Sequence, residues 1–208
     1  MRLNLNLRKT QKGSSLIEVL VTLVILMVGL LGLVGLMVQS QRSQMESYQR
    51  VQALVVLQDM VNRINTNRKA AACYAIATAT SGAPLGTGYT GTPSNCTVAD
   101  TTTEQKNQAK LDLLEWNNLL KGSAEKSGSS DVGAMLGARG CVTVVDAVPL
   151  APLVAPNKLY DVVVSVVWQG NGKTVAPTAV SCGANLYGDD AQRRAVTAPI
   201  RIMTHMSS

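Results

Sequence analysis

Glu18 is the residue of this chain that most needs a chemical partner. It stands at the mouth of twenty residues, Val19 to Val38, whose only polar side chain is that of Thr22. An acidic side chain in a bilayer costs about 2.5–3.5 kcal/mol at a helix centre and less near an end. Some group must compensate for it, and the identity of that group bears on function. The other reactive groups are four cysteines, Cys73, Cys96, Cys141 and Cys182, all downstream of the apolar run. An even count in an exported region points to two disulfides. Zinc is the competing chemistry, but there is no Cys-x-x-Cys and His205 is the only histidine. Of the three possible pairings, Cys73–Cys96 and Cys141–Cys182 are favoured, because each would staple a Gly/Ser/Thr-rich loop to a regular element.

The remaining chain offers little catalytic material. One histidine near the C-terminus leaves no Ser-His-Asp or Cys-His arrangement. Gly86-Thr87-Gly88 and Gly170-Asn171-Gly172 lack the strand–helix setting of a dinucleotide fingerprint and read as turns. Asp189-Asp190 supplies too few oxygens for calcium and reads as a turn. Arg193-Arg194, ahead of a strand, reads as a solvated pair rather than a contact for DNA or an acidic surface. No enzyme, cofactor, bound metal or small-molecule substrate is therefore expected. Nor does the net charge of +6 point to nucleic acid: without Arg2, Arg8, Lys9 and Lys12 it falls to +2. Aromatic content is 3% with no Phe, a poor surface for stacking sugars or bases.

The elements that must position these groups begin with the apolar run. Twenty helical residues rise about 30 Å, the thickness of a hydrocarbon core. Backbone groups in lipid must bond internally, so the span should be helical. The four leader cations have no acidic neighbour, whereas Arg42, Glu46 and Arg50 beyond the span nearly balance. The positive-inside rule thus places the N-terminus in the cytoplasm and the head across the membrane. A removed signal peptide would have a shorter apolar region and a better small-x-small site than Val38-Gln39-Ser40.

Beyond the span, residues 41–70 should continue as an amphipathic helix. Ala53, Leu54, Leu57, Met60, Val61 and Ile64 form its apolar stripe, and Glu46–Arg50 and Asp59–Arg63 form i,i+4 pairs. Residues 78–103 read as a long loop. A shorter helix follows over about 103–121, capped by Thr102 or Thr103, ended by Gly122, with Ala109, Leu113, Trp116 and Leu120 on one stripe. Residues 123–140 read as a Gly/Ser-rich connection. Three strands are expected, at Arg139–Asp146, Lys158–Gln169 and Arg194–His205. Pro199 restricts the third to an edge or a bulge. The fold class is α+β: a long N-terminal helix, half transmembrane and half amphipathic, packed on a small antiparallel sheet. The organisation expected is a membrane helix at 14–40, its amphipathic continuation at 41–72 and a disulfide-stapled head at 73–208, with residues 1–13 a cytoplasmic leader by the resemblance that follows.

Gly13-Ser14-Ser15-Leu16-Ile17-Glu18-Val19-Leu20-Val21-Thr22-Leu23, after a basic leader, resembles the N-terminal signature of type IV pilins and of type II secretion pseudopilins. The resemblance covers about 25 residues. It implies a ladle-shaped subunit, a cut by prepilin peptidase between Gly13 and Ser14, and N-methylation of Ser14, where most members carry Phe or Met. It further implies that the subunit waits in the inner membrane. It then joins other major and minor pilins through its N-terminal helix, ending in an extracellular pilus. Glu18 would meet the α-amino group of a neighbouring subunit, a pairing that sets register. The resemblance favours a minor pilin that promotes or modulates pilus assembly. A type II secretion pseudopilin and a permanently anchored periplasmic binding module are the alternatives. The module would leave Gly13 uncut and Glu18 dispensable.

Overall fold

An apolar segment without proline readily satisfies its backbone as a helix, and the first element is one. In the computed structural model, which describes residues 13, 15–76, 84–93, 95–98, 101–124, 126–131, 135–146 and 158–204, helix α1 runs Leu16–Thr66, 51 residues. The chain divides into two compact units, Met1–Gln44 and Met45–Ser208, and α1 contributes to both.

In the second unit α1 buries Ala53, Leu57, Met60, Val61 and Ile64, which recur at helical spacing. Leu54, assigned to that stripe from its spacing, is 46% exposed and lies off it. The helix also ends earlier than residue 70. Asn67 leaves helical geometry at φ −113°, ψ 47°, and Arg68–Tyr74 tighten into a 3-10 helix. The reason lies across the fold: the Asn67 side-chain amide donates to the Gln105 carbonyl at 2.9 Å and to the Tyr74 hydroxyl at 3.2 Å. Those tertiary bonds replace continuation of the helix.

Strand β1 is the pair Leu85–Gly86, inside the stretch expected to be loop. Helix α2 spans Thr103–Leu120. Thr102 caps it in a reciprocal box with Gln105, with N–H to side-chain oxygen distances of 3.2 and 3.3 Å. Ala109, Leu113, Trp116 and Leu120 are all buried. The Trp116 indole N–H donates to the Val56 carbonyl at 2.9 Å and ties α2 to α1. The connection after α2 holds a minimal hairpin, β2 (Lys126–Ser127) with β3 (Ser130–Asp131).

Strands β4 (Arg139–Asp146), β5 (Lys158–Gln169) and β6 (Arg193–Thr204) complete an antiparallel sheet of order β1-β4-β5-β6. β6 begins one residue before the expected start, and His205 lies outside the described residues. Pro199 pairs with Val163 on the edge strand, where a missing N–H is tolerated. Gly140, Val142, Val162, Val164, Val166 and Ile202 pack toward the helices in the main core. The opposite face carries a second, smaller core of Cys141, Val167, Cys182 and Tyr187. Ser165 and Val167 are therefore buried too, and β5 is covered on both faces over its second half.

Two glycines are required by close approach. A Cβ on Gly86, at φ +97°, would lie 2.4 Å from the Ala138 carbonyl oxygen. One on Gly140 would lie 2.4 and 2.6 Å from the Trp116 ring and 2.7 Å from Leu120. Gly140→Ala should therefore destabilise the head by about 1–3 kcal/mol, as overpacking does. Thermal or urea unfolding would measure it; an unchanged midpoint would mean that Trp116 can move aside.

Candidate functional site on the N-terminal helix

The first turn of α1 is closed by the Ser15 carbonyl, which accepts from the Glu18 N–H at 2.9 Å and the Val19 N–H at 3.3 Å. This places the Glu18 carboxylate in the first helical turn, where the partial positive charge of the helix end favours an anion. Gly13 immediately precedes this region. Ser14 and the N-terminal cations Arg2, Arg8, Lys9 and Lys12 lie outside the described residues.

From Leu16 to Val38 the large apolar side chains are 43–83% exposed. The helix is long and apolar enough to cross a membrane by length and composition. Thr22, the polar residue of the run, donates its hydroxyl to the Val19 carbonyl at 2.8 Å, so its hydrogen bond stays within the helix. Gly29, Gly32 and Gly35 have open space where a Cβ would stand. Nothing in this unit requires glycine there. Glycines on an apolar helix admit close approach of another helix.

The head presents a different chemistry. Cys73 is bonded to Cys96 and Cys141 to Cys182. Disulfides closing loops of this size typically contribute about 2–4 kcal/mol each. The first joins the 3-10 helix to the loop before α2. The second joins β4 to the segment after β5.

Asp189 and Asp190 form the turn expected of them: Asp189 accepts from the Ala191 N–H at 2.9 Å and pairs with Lys173 at 2.8 Å. Arg193 and Arg194 are not a solvated pair. Alternation along β6 sends them to opposite faces. Arg193 is 2% exposed. It forms a bidentate pair with Asp190, both contacts at 2.7 Å, and donates to the carbonyls of Pro177, Val180 and Cys182 at 3.2, 2.6 and 3.0 Å. Its hydrogen bonds hold the Asp190 carboxyl below the usual carboxylate range. Arg194 instead reaches Glu46 of α1 at 2.7 Å, so Glu46 is committed across the fold to β6. Arg194, rather than the expected i,i+4 partner Arg50, is the guanidinium found on Glu46, and it offers two N–H groups to the same carboxylate oxygen.

Sequence reasoning also passed over a polar cluster between α1 and α2. Arg63 contacts Asp59 at 2.7 Å, Asp112 at 3.2 Å and Glu115 at 2.5 Å. Burial opposes the Arg63 charge, but the hydrogen bonds to Asp59 and Glu115 outweigh it and raise its pKa. Asp112 is buried and also accepts from Gln108 at 2.8 Å and from the Tyr74 hydroxyl. Burial, reinforced by Asp112, pushes the Tyr74 phenol up. A cleft of about 260 Å³ borders Asp59, Arg63 and Asp112. The signal was present in the sequence: Asp112 falls on the apolar stripe of α2, three residues after Ala109. Among the described residues no three His, Cys, Asp or Glu side chains come together as ligands for a metal.

Two family models match the chain. The prokaryotic N-terminal methylation motif matches residues 8–34, and the family described as type IV pilin Tt1218 matches residues 35–114. The matches adjoin and cover the whole apolar run and the amphipathic half of α1. No curated protein and no solved structure gives a significant match.

Proposed function

This chain belongs to the type IV pilins, and from that premise we propose that it serves as a minor pilin. In this reading it is made as a prepilin and inserted with its N-terminus in the cytoplasm and its head outside. Prepilin peptidase then cuts it between Gly13 and Ser14. Ser14 is methylated on its new amine. The helix leaves the inner membrane and packs among other major and minor pilins, and the subunit promotes or modulates pilus assembly. The finer resemblance supports this role: Leu16-Ile17-Glu18-Val19-Leu20-Val21, after a leader ending in glycine, looks like the pilus modification protein PilV.

The observation that carries the proposal is the conjunction of Glu18 in the first turn with an apolar helix whose large side chains are exposed along its length. Such a surface is stable in lipid or among other apolar helices, and not in water. Glycines at 29, 32 and 35 suit the second environment as well as the first. Glu18 acts in assembly by accepting the α-amino group of a neighbouring Ser14. Each charge would be costly alone in an apolar core, so the pair acts chiefly as a register device.

Intact-mass and N-terminal analysis of the chain recovered from sheared fibres tests the reading. The expected product begins at Ser14 and carries a methyl group. An uncleaved chain found only in membranes would remove the pilin role and leave the anchored module. A processed chain found in a type II secretion fibre and not in pili would favour the pseudopilin.

A further inference from the structure

We infer that Asn171 is a site of spontaneous deamidation whose product loosens the Glu46–Arg194 clasp. The chain contains one Asn-Gly dipeptide, Asn171-Gly172. Both residues are exposed, in the turn that leaves β5. The turn is pinned on either side: the Gly170 N–H donates to the Gln192 carbonyl and the Thr174 N–H to the Ala191 carbonyl, each at 2.8 Å. Between those anchors no backbone carbonyl of a described residue accepts from the Gly172 N–H, which leaves that nitrogen open to act as the nucleophile. A Cβ at position 172 would meet nothing within 4 Å, and the residue does not occupy the left-handed region. Glycine is therefore not required there by the fold. What it supplies is an unhindered backbone nitrogen beside the Asn171 side chain.

The chemistry is intramolecular. The Gly172 nitrogen gives up its proton and bonds to the Asn171 side-chain carbonyl carbon. The bond from that carbon to the amide nitrogen breaks, and ammonia leaves with the proton. Water then opens the cyclic imide at one of its two carbonyls. One opening gives aspartate; the other gives isoaspartate, whose backbone is longer by one carbon. Either product carries a new carboxylate.

That carboxylate arises next to a guanidinium already in use. Arg194 donates to the Gly172 carbonyl at 2.8 Å, to the Ala191 carbonyl at 3.2 Å and to Glu46 at 2.7 and 3.1 Å. Isoaspartate displaces the Gly172 carbonyl, and the added anion competes with Glu46 for the same N–H groups. Ageing at Asn171 is thereby coupled to α1 at Glu46, one residue inside the second unit.

The test ages the protein recovered from membranes or sheared fibres at mildly alkaline pH and follows it by peptide mapping and amide exchange. Conversion at Asn171 should run severalfold faster than at other asparagines and accelerate with pH. Gly172→Ala, which the open space accommodates, should suppress it severalfold. Amide exchange in α1 around Glu46 should rise in the converted fraction. Asn171 that stays intact while Asn185 or Asn62 convert, or equal conversion in Gly172→Ala, would overturn the site. Unchanged exchange around Glu46 in converted protein would overturn the coupling, and Asn171→Asp provides a second, uniform sample for that measurement.

Discussion

Replacing Glu18 by valine is expected to leave the protein in the membrane and remove most of it from the fibre. Insertion becomes easier, because an acidic side chain is lost from the end of an apolar helix. Incorporation should fail for a different reason. In the proposed core, the α-amino group left without its carboxylate is a buried, unpaired charge, and breaking such a pair costs about 3–5 kcal/mol. At about 1.4 kcal/mol per factor of ten, that is roughly a hundredfold or more in the incorporation equilibrium. Comparing the subunit in sheared fibres and in inner membranes reads out both effects at once. Thr22→Val is the control: its hydroxyl bonds only to the carbonyl of Val19 within the same helix, so incorporation should persist. A Glu18→Val subunit present in fibres at the native level would end the registry role.

Arg193→Ala should be the most damaging single substitution in the head. The guanidinium is 2% exposed and makes five hydrogen bonds, two to Asp190 and three to backbone carbonyls of the segment that carries Cys182. Truncation leaves those carbonyls unsatisfied, a class of change that typically costs about 3–5 kcal/mol when a buried pair is broken. The Cys141–Cys182 bond would still hold the segment to β4, so partial unfolding of residues 170–192 with an intact helix–sheet core is the expected form of the damage. Amide exchange confined to that segment would show it; global unfolding or wild-type protection would not fit. The same pair makes an acid prediction. Asp190 has its carboxyl held low by the Arg193 hydrogen bonds. Its stabilising contribution is complete above about pH 4, the ordinary carboxylate range, and is lost as pH falls through the depressed value. In Arg193→Ala that acid-linked loss should shrink.

The strands β4 and β5 were legible to the residue, because both are valine-rich runs of strand length, and in β5 Tyr160, Val162, Val164, Val166 and Trp168 recur with period 2 on one face. Helix α2 was legible for the same kind of reason, and Thr102 was among its expected caps. The cysteine pairs favoured from loop composition are the pairs joined in the structure. Less legible was anything that depends on a distant residue. Strand β1 is two residues long and exists because Leu85 and Gly86 meet Gly140 and Arg139. The end of α1 depends on Asn67 finding Gln105 and Tyr74. Leu54 has the right spacing for the stripe but lies off it, 46% exposed, because what covers that side of α1 is set by the elements packed against it.

The sequence by itself determined the N-terminal methylation motif and the fold class. Basic residues, Gly13, Glu18 and the apolar run follow one another along the chain, so the motif is read without reference to folding. Helical and strand periodicities likewise are local properties. Only the tertiary structure decided which charges are structural. Arg193 and Arg194 are adjacent in sequence and identical in type, yet strand alternation sends one into a buried pair with Asp190 and the other to Glu46 on α1. A charged side chain's environment is set by what the other elements bring to it, and that information is absent from the neighbours along the chain.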